Sequence, residues 1–201
     1  SSAASDVYKR QGIWESGFRE IPVAFFEKNG INPELVPIRS TVNMFLQKAI
    51  DAMVVMYYNE YNTITNAGIN NSEISLFLFS DYNMDIIEDG LYSTTEFYEK
   101  NKDLCIKFAK ATFEGYSEAF KNPGETLDIL RNYMLRAKVP FNKAHQRWML
   151  NSISNIFYAG QNESDFGSMP VSKFYYGQDV LISAGILKKK IELKDFYRES
   201  K

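Results

Sequence analysis

Ala52-Met53-Val54-Val55-Met56-Tyr57 is an unbroken apolar run in a chain of 201 residues. An apolar run without polar alternation suits a strand buried on both faces, as strands are in parallel sheets. Parallel neighbours need a crossover between them, usually a helix. The surrounding sequence supplies such units in series. Ile13-Trp14 closes a strand, and Phe18 to Lys28 reads as a helix with Ile21, Ala24, Phe25 and Lys28 near one face. Pro22 fits only its first turn, which sets the helix start near Arg19, and Asn29-Gly30 is a left-handed stop. Glu34 to Ile38 is a strand, and Thr41 opens a second helix with Val42, Phe45, Leu46 and Ala49 inward. Asn59 to Asn66 is helical, Ala67-Gly68 ends it, and Ile74 to Phe79 reads as another buried strand. This order argues for an α/β sheet with right-handed crossovers.

Beyond Ser80 helices dominate. Gly90 to Thr94 reads as one short strand. Asp103 to Lys121 carries Leu104, Phe108, Thr112, Tyr116 and Phe120 at a spacing of four, with Cys105, Ala109 and Phe113 beside them. Asn122-Pro123-Gly124 stops that helix. Glu125 to Ala137 is the next, Asn142 caps a third bearing Trp148, Met149, Ile153 and Ile156, and Ala159 to Ser168 is a polar loop. Asp179 to Lys190 is expected as a last helix, followed by an appendage over Glu192 to Arg198. These stripes need a sheet to cover, and the second half supplies almost none.

Composition narrows the function classes. A formal charge of −2 gives no basic field for nucleic acid. One cysteine and one histidine exclude a disulfide framework and leave little for a metal cluster. His145 sits in the first turns of a helix, where packing or capping suits it better than catalysis. Ser1 to Gln11 lacks an apolar segment and is no signal peptide. It looks like a translated sequencing-adapter remnant and is read as an artefactual or disordered tail over 1–11, with the natural start expected upstream.

Candidate ligand residues cluster where strands end, because open α/β sheets bind ligands at the carboxyl ends of their strands. Trp14 can stack on a flat heterocycle and Glu15 can accept from an exocyclic amine. Phe18 and Arg19 open the next helix, whose amides and guanidinium suit an anion. Tyr57, Tyr58, Asn59 and Glu60 form a polar-aromatic clamp, with the two tyrosines on opposite faces if the strand continues. Asp81 and Tyr82 end the next strand. No metal and no cofactor is required.

Five segments carry a family resemblance: Trp14-Glu15-Ser16-Gly17-Phe18-Arg19-Glu20, Met56-Tyr57-Tyr58-Asn59-Glu60-Tyr61, Asp81-Tyr82, Glu88-Asp89-Gly90-Leu91-Tyr92 and His145-Gln146-Arg147-Trp148-Met149. In this order they resemble ABC-transporter substrate-binding proteins, nearest the thiamine-pyrimidine-precursor and aliphatic-sulfonate binding group. The resemblance implies a type II periplasmic-binding-protein fold of three-layer αβα lobes. Residues 12–79 would be the second lobe, and 80–201 the hinge return and helical remainder of an incomplete first lobe. It implies a receptor, not an enzyme, that binds a small planar solute between two lobes and delivers it to an ABC permease. It further implies a periplasmic or lipid-anchored extracellular location and a monomer when complete. Glu15, Glu60 and Asp81 favour an aminopyrimidine over a sulfonate, taurine or nitrate unless Arg19 compensates. A thiamine-pyrimidine-synthesising enzyme resembling the same family is the contrasting class; its cysteine-rich segment is not seen here.

Overall fold

The computed structural model describes residues 9–15, 17–87, 89–159 and 167–198. Most of the expected tail, Ser16, Glu88 and positions 160–166 of the polar loop lie outside the described residues. Two units divide the chain: Ser1–Glu88 with Pro170–Phe196, and Asp89–Met169 with Tyr197–Lys201. No helix among the described residues is long and apolar enough to cross a membrane.

The first unit is built on a three-stranded parallel sheet. Strand β1 (Arg10–Trp14) lies between β2 (Glu34–Ile38) and β3 (Ala52–Met53). Its register pairs Gly12 with Val36 and Met53, and Trp14 with Ile38. Pro37 is tolerated because β2 is an edge strand, where a missing amide leaves no ladder bond unmade. Arg10 and Gln11, set aside with the tail, belong to β1. The Arg10 backbone amide and guanidinium both donate to Asp51 and hold its carboxyl below the usual range.

Helix α1 (Glu20–Asn29) runs from β1 to β2 and ends at Gly30 in the left-handed region, as Asn29-Gly30 led one to expect. Its inward face, Ile21, Ala24 and Phe25, forms a core with Met84, flanked by Phe79, Ile86, Val180, Leu181 and Ala184. The short helix α2 (Asn43–Leu46) leads to β3. A π-helical turn (Tyr57–Tyr61) then passes into α3 (Asn62–Asn66).

Gly12 is fixed by space. A Cβ there would lie 2.5 Å from Ile50 Cδ1 and 3.1 Å from Ile38 Cγ2, and both isoleucines are buried. Gly12→Ala is therefore expected to cost about 1–2 kcal/mol through overpacking, read as a lower urea midpoint at unchanged slope. An unchanged midpoint would show that the sheet yields freely.

Three expected strands are corrected. Val54 to Tyr57 does not continue β3: the Val54 amide still donates to the Gly12 carbonyl, but the chain then leaves the sheet and winds into the π-turn. Ile74 to Phe79 has the composition of a strand but no paired edge among the described residues. Ile74 and Leu78 have extended backbone angles, and the chain then turns into a 3₁₀ helix at Phe79–Tyr82. Gly90 to Thr94 is irregular. Strand propensity yields a strand only where a partner completes the ladder. The fold is mixed α/β, a small parallel sheet with many helices.

The second unit is helical: α4 (Thr95–Lys100), α5 (Lys102–Lys121), α6 (Pro123–Arg136) and α7 (Lys143–Tyr158). Pro123 stops α5 and also opens α6, two residues before the expected start, since its missing amide costs nothing at a first helical position. The Asn142 side chain accepts from the His145 amide and caps α7. Leu127 is the deepest side chain, and Phe113, Tyr116, Phe120, Phe157 and Tyr158 stack between α5 and α7. Leu104, Phe108, Tyr133 and Ile156 stay exposed, so the stripes are covered only in part.

The last long helix is also corrected. It is α8 (Val171–Ser183), not Asp179 to Lys190, and belongs to the first unit. Gly185 at positive φ follows its end. Gly177 in its middle lets Ile86 approach, and the buried Gln178 side chain exchanges two hydrogen bonds with the Ile191 backbone. The final short helix is α9 (Leu193–Phe196).

Candidate functional site

All three strands are parallel, so their carboxyl ends share one edge of the sheet. Trp14 and Glu15 leave β1 there. Ile38 and Arg39 leave β2, with the Glu15 amide donating to the Ile38 carbonyl at 3.2 Å. Val54 leaves β3 alongside Gly12. Trp14 and Glu15 thus leave the sheet on the side from which the chain runs on through Val54 to Met56 into the turn bearing Tyr57 to Glu60.

The π-turn closes with the Tyr61 amide on the Met56 carbonyl, five residues back. Such turns are rare and recur at functional sites. Glu60 is buried and organises the turn. One carboxylate oxygen accepts from the Met56 amide at 2.9 Å, the other from the Asn59 side-chain amide at 2.8 Å. Glu60 thus spends its acceptors on its own loop, and Asn59 spends a donor on Glu60. Tyr57 is exposed and stacks on Tyr61, with ring centroids 5.1 Å apart and planes at 16°. Tyr58 follows it on the turn and is half-buried.

At β1, Trp14 is half-buried, and its indole nitrogen is buried without a hydrogen-bond partner among the described residues. Glu15 accepts from Arg39 Nε at 2.9 Å in an exposed ion pair. Gly17 and Phe18 both take positive φ, which costs a non-glycine residue energy, and Phe18 stays exposed. The Phe18 side chain joins Ile21, Ile86, Ile87 and Leu181 around a shallow groove beside α1. Arg19 precedes α1, with its amide donating to the Glu20 carboxylate at 3.2 Å. A side chain of the protein already serves that helix end.

Asp81 and Tyr82 lie elsewhere. The Tyr82 ring packs edge-on against Phe25, and its carbonyl accepts from Lys28 in the last turn of α1. Because α1 runs back from the carboxyl edge, this contact lies toward the opposite side of the sheet. Asp81 is exposed on the same 3₁₀ helix. His145 belongs to the second unit. Among the described residues no three His, Cys, Asp or Glu side chains gather as metal ligands.

Two neighbours escaped the sequence reading. Arg39 was findable, since the strand-end rule applied to β2 points to it. Tyr61 lies four residues beyond Tyr57 on a winding segment, the spacing at which rings meet.

Comparison with curated proteins gives no match, and comparison with solved structures gives none. A family model described as NMT1/THI5 like matches residues 7–126. That span is more than half of the chain, takes in all three strands and the π-turn, and ends before the segment His145 to Met149. On this match the chain belongs to the NMT1/THI5-like family, whose members are mostly substrate-binding proteins of the thiamine-precursor and sulfonate type.

Proposed function

We propose that this chain binds a small planar solute at the carboxyl edge of its sheet and breaks no bond in it. The observation that carries this reading is the π-turn held by buried Glu60, which bears Tyr57, Tyr58 and Asn59 in the segment that follows β3, a strand whose carboxyl end shares an edge with that of β1. Aromatic faces bind a flat ring by stacking, and the polar groups between them orient it. The proposed solute is an aminopyrimidine thiamine precursor, with Glu15 accepting from its exocyclic amine. The proposed setting is a receptor of an ABC importer, periplasmic or lipid-anchored outside the cell, that hands its solute to a membrane permease. In that receptor 12–79 would form the second lobe and 80–201 the return to the first.

One observation favours a second ligand class. Arg39 pairs with Glu15, Glu60 is occupied by its own loop, and Asp81 lies away from the strand ends. The acidic excess that argued against a sulfonate is therefore weaker than the sequence suggests, and Arg39 offers a cation in its place.

The test is a titration of intrinsic tryptophan fluorescence with 4-amino-5-hydroxymethyl-2-methylpyrimidine and, separately, with taurine. Pyrimidine binding should saturate, and Trp14→Ala should weaken it about tenfold, equivalent to about 1.4 kcal/mol. Arg39→Ala separates the two solutes: it frees Glu15 and tightens pyrimidine binding, whereas it weakens binding of a sulfonate. No saturable response to either solute, or an unchanged affinity in Trp14→Ala followed by calorimetry, would overturn the reading.

A further inference from the structure

We propose that the connection between α6 and α7, residues 137–142, docks on an anionic lipid surface together with the helix ends beside it. From Ile129 to Ala159 the sequence carries Arg131, Arg136, Lys138, Lys143 and Arg147 and neither Asp nor Glu, in a chain whose formal charge is −2. All five cations are exposed, and the two helices that flank the connection pack against each other. Arg131 lies five residues before the end of α6, and Arg147 four residues after the start of α7. Each is therefore within about 8 Å, along its own helix, of the end that the connection joins. None of the five forms an ion pair among the described residues. By contrast Lys100, Lys102 and Lys121 of the same unit each pair with a glutamate three or four residues away.

Helix electrostatics account for only part of this cluster. Arg136, in the last turn of α6, suits the negative end of that helix. Lys143 sits at the positive end of α7, whose first turn holds no acid. An external anion would balance it. The same end exposes apolar side chains: Tyr133, Leu135 and Val139 are 66%, 53% and 46% exposed. The Arg136 guanidinium lies 6.0 Å from the Tyr133 ring centroid. The Lys138 amide donates to the Leu135 carbonyl and the Val139 amide to the Met134 carbonyl, which holds the turn in shape. Nucleic-acid phosphates would reward the cations and leave Leu135 and Val139 in water. A bilayer interface takes both. Its anionic headgroups attract Lys and Arg, whose stems lie along the surface, while tyrosine and aliphatic side chains enter the boundary beneath. The charge thus selects an anionic partner, and the apolar tip selects lipid over nucleic acid.

Flotation of the full chain with lipid vesicles tests this. No solute enters the assay, so its outcome is independent of the proposed ligand. Vesicles of equal parts phosphatidylcholine and phosphatidylglycerol should carry the protein, vesicles of phosphatidylcholine alone should not, and added salt should release it. Each Lys or Arg near such a surface contributes about fivefold in affinity. Arg136→Gln with Lys138→Gln should therefore weaken binding about thirtyfold. Lys143→Gln with Arg147→Gln should do the same, and stands in should the first pair fail to fold by circular dichroism. Leu135→Ser with Val139→Ser should also weaken binding, whereas Lys107→Gln with Lys110→Gln on α5 should leave it nearly unchanged. No flotation with the anionic vesicles, equal flotation with the neutral ones, or undiminished binding in both charge pairs would each overturn the proposal. So would undiminished binding in the Leu135 and Val139 variant, or an equal loss in the Lys107 and Lys110 variant. Tighter binding to poly-glutamate or to duplex DNA than to the vesicles would overturn it too, and would assign the patch to an acidic protein or to nucleic acid.

Discussion

Leu127→Ala is expected to destabilise the helical unit by about 3 kcal/mol, within the range for emptying a buried leucine site. Leu127 is 1% exposed, on a helix that packs against both α5 and α7. Alanine there removes the contacts that three helices share and leaves a void that they cannot all close. The measurement is urea unfolding in a Trp14→Phe background, where Trp148 on α7 reports this unit alone. A loss below about 1 kcal/mol would mean that the helices close over the site, unlike a well-packed core. Ile129→Ala is the control. Ile129 is 51% exposed two residues further along the same helix, so it should cost much less.

Glu60→Ala is expected to cost about 2–3 kcal/mol, because one substitution strands two donors. The Met56 amide and the Asn59 side-chain amide both lose their acceptor beneath a buried position. The π-turn should then relax toward an ordinary helical turn, and solute affinity should fall with stability. Glu60→Gln separates the two roles. It keeps one acceptor and the shape of the side chain, so most of the stability should survive. Equal stability of Glu60→Ala and the wild type in thermal and urea melts would show that the turn stands without the carboxylate.

The parts of the fold that were legible in the sequence are those set by local chemistry. Strand β2 falls on Glu34–Ile38 as read, because Gly30 stops the preceding helix and an apolar stretch follows. Asn142 announces α7 because its side chain caps the helix directly. Trp14-Glu15 and Tyr57-to-Glu60 stand as candidates for a topological reason, since parallel strands put their carboxyl ends on one side of the sheet. The misread parts depend on partners distant in sequence. Val54 to Tyr57 and Ile74 to Phe79 have strand composition, yet a ladder needs a second edge at the right distance. The π-turn differs from an α-turn by one residue per hydrogen-bonded loop and has no composition of its own. The start of α8 was hidden because Gly177 breaks its apolar rhythm, although the space that glycine leaves is what Ile86 fills. Arg39 was missed through uneven use of a sound rule, which was applied to β1 and β3 but not to β2.

The first unit is discontinuous, with Val180, Leu181 and Ala184 of its core supplied from beyond the helical segment. That arrangement imposes an order on synthesis. The helical segment emerges from the ribosome nearly whole and can bury Leu127 at once. The sheet and α1 emerge first, yet must hold Ile21 and Phe25 partly uncovered until α8 arrives. The sheet and α1, made before the helical segment, thus finish folding after it, and during that interval they are the part most in need of a chaperone.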